Sequence, residues 1–309
     1  MNAFGFELYS PFASKTDQAE RRQALSARTL PVSLGSHQQG SARYQPDEGL
    51  VDAVNVALAV GAPLLLTGEP GTGKTQLASH LADYFAIRLF QLHVRSDSTA
   101  DDLLYRFDAV AYLHAANDPE RRGKALSRGE FVEPGPLWQA YDEKQASVVL
   151  IDEIDKAPRD FPNDLLNVLD QHRFFVREKN VWKERGQRPP PIVIITSNSE
   201  RRLPEPFLRR CIFHHIRFTP ELVLRAVQAH VDSFPNLDEG LKQAALQRFF
   251  ELRGRDIRKP PATAELLVWL AVLSARGTYQ AQELLTCPLG KLPALSALVK
   301  DRDDLAQIG

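Results

Sequence analysis

Two glycines, a lysine and a threonine stand at the spacing that binds phosphate groups. Residues 68–75 read GEPGTGKT and fit the pattern G-x-x-x-x-G-K-[ST]. Glycines let successive backbone N–H groups turn toward a phosphate, and a helix starting near Gly73 adds the positive end of its dipole. In this pattern Lys74 reaches the β- and γ-phosphates, and the Thr75 hydroxyl ligates Mg²⁺. The predicted nucleotide-binding residues are Gly68, Glu69, Pro70, Gly71, Thr72, Gly73, Lys74, Thr75 and Gln76.

An acidic pair follows a strongly apolar run farther along the chain. Residues 148–151 are Val-Val-Leu-Ile, and Asp152 and Glu153 come directly after them. A buried strand of this kind brings Asp152 to the phosphate end of a parallel sheet, where its carboxylate can hold Mg²⁺. Glu153 can then act as general base and polarise the attacking water. Glu153 is the residue that separates a hydrolase from a nucleotide-binding switch.

A third apolar run ends in Thr196-Ser197-Asn198. An asparagine at the tip of a strand beside the Asp152 strand can orient the water or touch the γ-phosphate. Taken alone, an asparagine that ends a strand is better explained as a turn residue. The order of the three motifs along the chain favours a catalytic position for Asn198.

The elements that must position these residues alternate between short apolar runs and helical stretches. The pattern predicts five buried strands, at residues 63–67, 87–94, 148–151, 192–196 and 212–218. One helix is predicted to open at Pro46-Asp47-Glu48 and to stop at Gly61, and two more are predicted at residues 74–85 and 161–171. Continuous apolar strands that alternate with helices indicate an α/β fold with a parallel sheet covered on both faces.

The chain divides into three parts by pattern. Residues 1–43 are predicted to be an N-terminal arm, with one short helix around residues 17–27, and residues 44–219 the α/β core. Two long connections, at about residues 101–136 and 173–191, exceed the usual loop length and are predicted insertions. Residues 220–309 show helical patterns alone and are predicted to form an all-α lid.

Composition excludes several classes of protein. Hydrophobic residues make up 43% and charged residues 25% of the 309 residues, as in an ordinary globular protein. Lys and Arg number 38 against 39 Asp and Glu, so no overall field draws the chain to nucleic acid. Two cysteines, Cys211 and Cys287, are too few for a disulfide scaffold or a cysteine-ligated zinc site. Without an apolar segment long enough to span a bilayer, the sequence predicts a cytoplasmic protein with no membrane insertion.

The motif set resembles the AAA+ ATPases, and within them the MoxR-type branch. The segments that carry the resemblance are GEPGTGKT (68–75), GPLW (135–138), VVLIDEID (148–155), DLLNVLD (164–170), IVIITSN (192–198) and LPEPFLRR (203–210). The resemblance covers about residues 44–305 and implies a P-loop doubly wound five-stranded sheet with a helical lid. It also implies a homo-oligomeric ring, usually a hexamer, that binds ATP with Mg²⁺ between neighbouring subunits.

The resemblance further implies two arginine positions. The arginine finger, supplied in trans, maps onto Arg210, with Arg209 as the alternative one residue away. A guanidinium suits this position because it stays charged and stabilises the charge that builds on the transferred phosphoryl group. The lid arginine of the family has no direct counterpart, and Arg258 or Lys259 is the nearest candidate.

The leading interpretation is a ring ATPase that remodels or activates a partner protein in a chaperone-like manner. MoxR-type proteins often work with a partner that carries a von Willebrand A-type domain, so the resemblance implies such a client. The first alternative is a nucleic-acid motor or loader, favoured by the basic residues within 173–188 and opposed by the near-neutral total charge. The second is a nucleotide-gated assembly switch, opposed by Glu153.

Overall fold

The computed structural model describes residues 18–26, 43–118, 126–276 and 279–309. They form two compact units: a core unit, Pro46–Phe218, and a helical unit that joins the described residues before position 46 to those of Thr219–Gly309. The first described helix, α1 (Gln18–Ser26), belongs to the helical unit and coincides with the short helix expected in the N-terminal arm.

The core unit is built around a parallel sheet of five strands. Its elements in chain order are α2 (Glu48–Val60), β1 (Leu64–Gly68), α3 (Lys74–Tyr84), β2 (Arg88–His93), α4 (Ala100–Leu104), β3 (Tyr105–Phe107), α5 (Ala109–Asn117), β4 (Val132–Pro134), α6 (Pro136–Asp142), β5 (Ser147–Asp152), α7 (Phe161–Gln171), β6 (Arg173–Val176), β7 (Val181–Glu184), β8 (Ile192–Ser197), α8 (Glu205–Leu208) and β9 (Ile212–Ile216). The strand order is β2-β5-β8-β1-β9, and all pairs are parallel. The predicted five-stranded parallel sheet is confirmed.

Burial explains why the sheet strands read as unbroken apolar runs. Every residue of β1 and β5 is buried, since helices cover both faces of the central strands. The first core helix, α2, begins and ends where its capping residues predict. The Asp47 carboxylate accepts a hydrogen bond from the Leu50 N–H at 2.8 Å, and Gly61 ends the helix in the left-handed region at φ 68°.

Both insertions contain strands that the sequence analysis did not predict. In the first, β3 and β4 pair antiparallel, and in the second, β6 and β7 form an antiparallel hairpin. An aromatic cluster of Tyr105, Trp138, Tyr141 and Phe174 joins the two insertions through α6, with neighbouring ring centroids 5.8–6.3 Å apart. The backbone N–H of Arg177 also donates to the Tyr105 hydroxyl at 3.2 Å. Residues 119–125 of the first insertion lie outside the described residues.

The helical unit contains helices without strands among its described residues. Its elements after α1 are α9 (Pro220–Ala229), α10 (Glu239–Arg253), α11 (Thr263–Arg276), α12 (Ala281–Thr286) and α13 (Arg302–Ile308). Trp269 is fully buried at its centre and donates its indole N–H to the Pro293 carbonyl at 2.7 Å. Helix α12 is an element that the sequence pattern did not reveal.

Among the residues that the structure describes, no helix has the length and apolar character needed to cross a membrane.

Candidate active site

The phosphate-binding loop leaves the carboxyl end of β1 and returns into α3. Gly68 lies so close to β9 that an added Cβ would sit 2.6 Å from the Ile216 carbonyl oxygen. Gly73 has a φ of 87° directly before the first residue of α3. The Thr72 hydroxyl donates to the Glu69 carbonyl at 2.9 Å and closes the loop. Strand, glycine-rich turn and helix therefore follow in the order that a phosphate cradle requires.

Lys74 is buried beneath this loop. The residue is only 6% exposed. Its Nζ donates to the carbonyl oxygens of Gly68 and Glu69, both at 2.9 Å. Burial lowers the pKa of Lys74, and nearby carboxylates, chiefly that of Asp152, oppose the shift. A buried ammonium whose acceptors are main-chain carbonyls has charge available for an anion that enters the loop.

Thr75 and Asp152 meet at the carboxyl edge of the sheet. The Thr75 hydroxyl donates to Asp152 Oδ1 at 2.9 Å, although 77 residues separate the two along the chain. The Asp152 side chain also accepts from the Thr196 hydroxyl at 2.6 Å, and His93 Nδ1 lies 3.2 Å from Oδ2. A hydroxyl beside a carboxylate is an all-oxygen donor set of the kind that suits Mg²⁺.

Magnesium at phosphate sites is usually held by one or two protein carboxylates together with phosphate oxygens. Among the described residues, no group of three or more His, Cys, Asp and Glu is arranged to hold a metal ion.

Glu153 stands in a tight turn between β5 and the 3₁₀ turn Ile154–Lys156. Its φ is 60°, a left-handed conformation that is uncommon for a residue other than glycine and often occurs at functional sites. The carboxylate accepts from Asn198 Nδ2 at 3.2 Å and from Lys156 Nζ at 2.5 Å. The Glu153 hydrogen bond raises the pKa of Lys156. The structure thus brings Asn198 into contact with Glu153, as expected for neighbouring strand ends.

Two buried residues that the sequence analysis did not single out hold this arrangement in place. The Thr196 hydroxyl donates to Asp152 and accepts from the backbone N–H of Glu153 at 2.9 Å. Asp155, which is 3% exposed, accepts from the backbone N–H groups of Asn198 at 3.2 Å and Glu200 at 2.9 Å. The sequence does contain one signal for each of these residues. Thr196 is a polar residue in an otherwise apolar strand, and Asp155 is a further acidic residue just after Glu153.

Comparison with protein families places this site in a known group. The family model described as the AAA domain of the dynein-related subfamily matches residues 63–211. That segment runs from the residue before β1 to the residue before β9 and contains all the residues just described except Ile216. The match identifies the core unit as an AAA domain.

Curated relatives of the chain are bacterial proteins named as chaperones. A probable chaperone protein ClpB 1 of Chlorobaculum tepidum is 32% identical over 193 residues, which cover 60% of this chain and 39% of the relative. The ClpB of Streptomyces albus G is 29% identical over 255 residues, or 77% of this chain and 28% of the relative. The chain therefore spans well under half the length of these relatives.

The two candidate finger arginines of the AAA+ core are both exposed and both paired within the chain. Arg209 pairs with Glu205 one turn earlier in the same segment. Arg210 Nε donates to Asp170 Oδ2 at 2.8 Å, and Arg210 Nη1 donates to the Pro206 carbonyl at 3.1 Å. Asp170 lies near the end of α7, so the Arg210 side chain is held by a separate helix while that of Arg209 is held only locally.

The candidate lid residues of the helical unit contact its last helix, α13, and the residue before it. The Arg258 guanidinium lies 2.6 Å from Asp303, and Lys259 Nζ lies 3.6 Å from Asp301. The backbone N–H groups of both residues donate to the buried carboxylate of Asp304, at 2.8 and 3.0 Å. These contacts fix the backbone of the segment and leave both side chains on the surface.

Replacing Gly68 with Ala is expected to destabilise the core unit by about 3 kcal/mol or more, since the new methyl group would overlap a backbone oxygen and the φ of 150° is strained for alanine. Urea denaturation measures the change in the free energy of unfolding. Gly49→Ala is the matched control, because Gly49 lies in the first turn of α2 and an added Cβ would have no neighbour closer than 3.5 Å. Equal stability of the two variants would contradict the close approach at Gly68.

Proposed function

We propose that this chain is a Mg²⁺-dependent ATPase of the MoxR type that uses hydrolysis to remodel or activate a protein partner. The observation that carries the proposal is the continuous set of hydrogen bonds from Thr75 through Asp152 and Thr196 to Glu153 and Asn198. It lies at the sheet edge that also holds the phosphate loop and Lys74, so the groups for phosphate binding and for water activation lie side by side.

Each residue of the site has a distinct part in this proposal. Lys74 turns its ammonium from the loop carbonyls to the β- and γ-phosphates, and the loop N–H groups complete the cradle. Thr75 and Asp152 would hold the magnesium ion, which neutralises charge on the phosphates when bound. ATP is favoured over GTP because the sequence carries no Asn-Lys-x-Asp motif for guanine.

Glu153 is the proposed general base. Its carboxylate takes a proton from the attacking water, and Asn198 orients that water or touches the γ-phosphate. In the structure both groups are engaged with one another, and Lys156 occupies the second carboxylate oxygen. Entry of a water between Glu153 and a bound γ-phosphate requires these contacts to loosen, which the exposed position of Lys156 permits.

The ring and the client extend the proposal beyond a single chain. We propose a homo-oligomer, a hexameric ring in the manner of the family, with Arg210 reaching the nucleotide of the neighbouring subunit. Arg209 is the alternative finger. The chaperone names of the relatives support remodelling of a protein, and the MoxR-type motifs support a client with a von Willebrand A-type domain. We place this activity in the cytoplasm.

A mixing experiment tests the shared active site. Lys74→Met and Arg210→Ala are each expected to hydrolyse ATP slowly alone, and an equimolar mixture should regain activity at about a quarter of its sites, because a heterologous ring interface combines one intact part from each neighbour. Wild-type specific activity should also fall on dilution below the assembly concentration.

The same mixture made with Arg209→Ala serves as the comparison. If ATP hydrolysis is restored when Lys74→Met is mixed with Arg209→Ala but not with Arg210→Ala, Arg209 is the arginine finger. Full activity of both arginine variants alone, together with a specific activity independent of dilution, would refute a site shared between subunits.

A further inference from the structure

A cleft lies at the edge of the core sheet opposite the nucleotide site. It is formed by the residues that lead into β5 and β8, two strands that run parallel with Val148 beside Ile192. The phosphate loop and Asp152 lie at the carboxyl ends of the strands, whereas these residues lie at the amino ends. A six-residue strand separates the two edges by about 20 Å. The cleft therefore belongs to neither the phosphate loop nor the acidic pair.

The cleft has the size of a ligand site and an excess of positive charge. Its volume is about 800 Å³, and its lining comprises Asp142, Lys144, Trp182, Lys183, Glu184, Arg185, Gly186, Gln187, Arg188 and Pro189. Four cationic side chains thus face two carboxylates. Most of the lining comes from β7 and the residues after it, that is, from the second insertion.

The Asp142 carboxylate in the lining of the cleft already pairs with two cationic side chains. Asp142 Oδ1 lies 2.5 Å from Lys183 Nζ and 3.1 Å from an Arg188 guanidinium nitrogen. Burial alone would raise the pKa of Asp142, but the bonds and charge of Lys183, with those of Arg188 and Trp138, outweigh burial and lower the pKa. Asp142 therefore orients two cations and does not offer a free negative charge to an incoming ligand.

Other groups around the cleft keep unused binding capacity. Lys144 is exposed and forms no hydrogen bond or ion pair within the described part of the chain. Arg185 is already engaged, since its Nη1 donates to the Arg188 carbonyl and its Nε is buried. Trp182 is 54% exposed, although Arg173 lies 4.8 Å over its ring and Phe175 is 5.5 Å away. One exposed ammonium group, that of Lys144, and the exposed aromatic ring of Trp182 thus remain available at the cleft.

We propose that this cleft binds an acidic peptide segment of a protein partner. Lys144 pairs with a carboxylate of the segment, and Trp182 packs against a neighbouring apolar side chain of it. The charge pattern favours a peptide over nucleic acid, because a phosphate backbone needs a long and uniformly positive track, whereas the lining of this cleft includes the carboxylates of Asp142 and Glu184. The site lies on the second insertion, apart from the groups proposed for hydrolysis.

Fluorescence anisotropy with a fluorescein-labelled peptide of eight glutamates around a central leucine tests this site on the full chain. The peptide should bind at low salt at least about tenfold more tightly than its glutamine counterpart, since the cleft selects charge. Lys144→Glu should weaken binding about fivefold or more, while Lys300→Glu, an exposed lysine of the helical unit, should leave it unchanged. Far-UV circular dichroism reports that each variant is folded, whether or not the proposed ATPase activity is found.

Tryptophan quenching provides a second readout of position. Trp138 and Trp269 are buried, so acrylamide mainly reaches Trp182. The glutamate peptide should reduce quenching in the wild type, and Trp182→Phe should remove that change. Equal binding of both peptides, or unchanged affinity in Lys144→Glu, would overturn the proposal. Tighter binding of a 12-nucleotide oligothymidine than of the peptide would overturn it in favour of a nucleic-acid site.

Discussion

Replacing Glu153 with Gln is expected to lower the rate of ATP hydrolysis by about 10²–10⁴-fold while ATP binding persists, because a positioned general base contributes a factor of this size. Glutamine keeps the shape of the side chain and an oxygen that can accept from Asn198, so the loop geometry should survive. It cannot take a proton from water. Single-turnover hydrolysis and equilibrium binding of ATP with magnesium separate the two effects.

Glu133→Gln is the matched control for this substitution. Glu133 is exposed on β4, outside the site. The Glu133→Gln variant should therefore hydrolyse ATP at the wild-type rate. The switch interpretation makes the opposite prediction for Glu153, since wild type and Glu153→Gln would then hydrolyse ATP equally slowly. A Glu153→Gln variant that lost nucleotide binding would instead show that Glu153 supports the loop and does not act as a base.

The sheet and the phosphate loop could be predicted because their signals are local. Buried parallel strands are apolar at every position, and a glycine-rich turn between strand and helix has a fixed spacing, so β1, β5 and β8 were placed within two residues of their observed ends. The strands of the insertions carry no such signal. β6 is buried only at alternate positions and β7 is mostly exposed. Phe174 of β6 packs in the aromatic cluster, whose other members come from distant segments.

The residues of the candidate site could be predicted where a motif assigns a single role to a residue type at a fixed position. Lys74, Thr75 and Asp152 are of this kind. The supporting contacts depend instead on the register of neighbouring strands, which a single sequence does not reveal. His93 reaches Asp152 because β2 and β5 pair with these two residues opposite one another. The Lys156–Glu153 ion pair depends on the left-handed turn at Glu153, for which the sequence offered no glycine as a sign.

The position of the arginine finger shows the limit of reasoning from one chain. Arg209 and Arg210 are adjacent and of the same type, so the sequence cannot rank them. The structure distinguishes their surroundings, because Asp170 holds Arg210 from another helix and Glu205 holds Arg209 within its own turn. A guanidinium already oriented by a second element loses less conformational entropy when it engages a neighbour's nucleotide. This favours Arg210 in the mixing experiment.

Replacing Lys74 with Met is expected to weaken ATP binding by about 100-fold or more. Two charge-assisted hydrogen bonds to phosphate contribute about 1.5 kcal/mol each at the low end, and 1.4 kcal/mol corresponds to a factor of ten. The low end applies because Lys74 must first give up its bonds to the Gly68 and Glu69 carbonyls. Calorimetric titration with ATP and magnesium measures the loss.

Lys144→Met is the control for the Lys74 substitution, since Lys144 is exposed and lies at the opposite edge of the sheet. It should bind ATP as the wild type does and lose affinity only for the acidic peptide. Lys74 would then be required for ATP binding and Lys144 for peptide binding. Methionine at position 74 removes a desolvated charge as well as two hydrogen bonds, and these effects on folding oppose each other. A folded Lys74→Met protein with wild-type affinity for ATP would show that the triphosphate is not held in this loop.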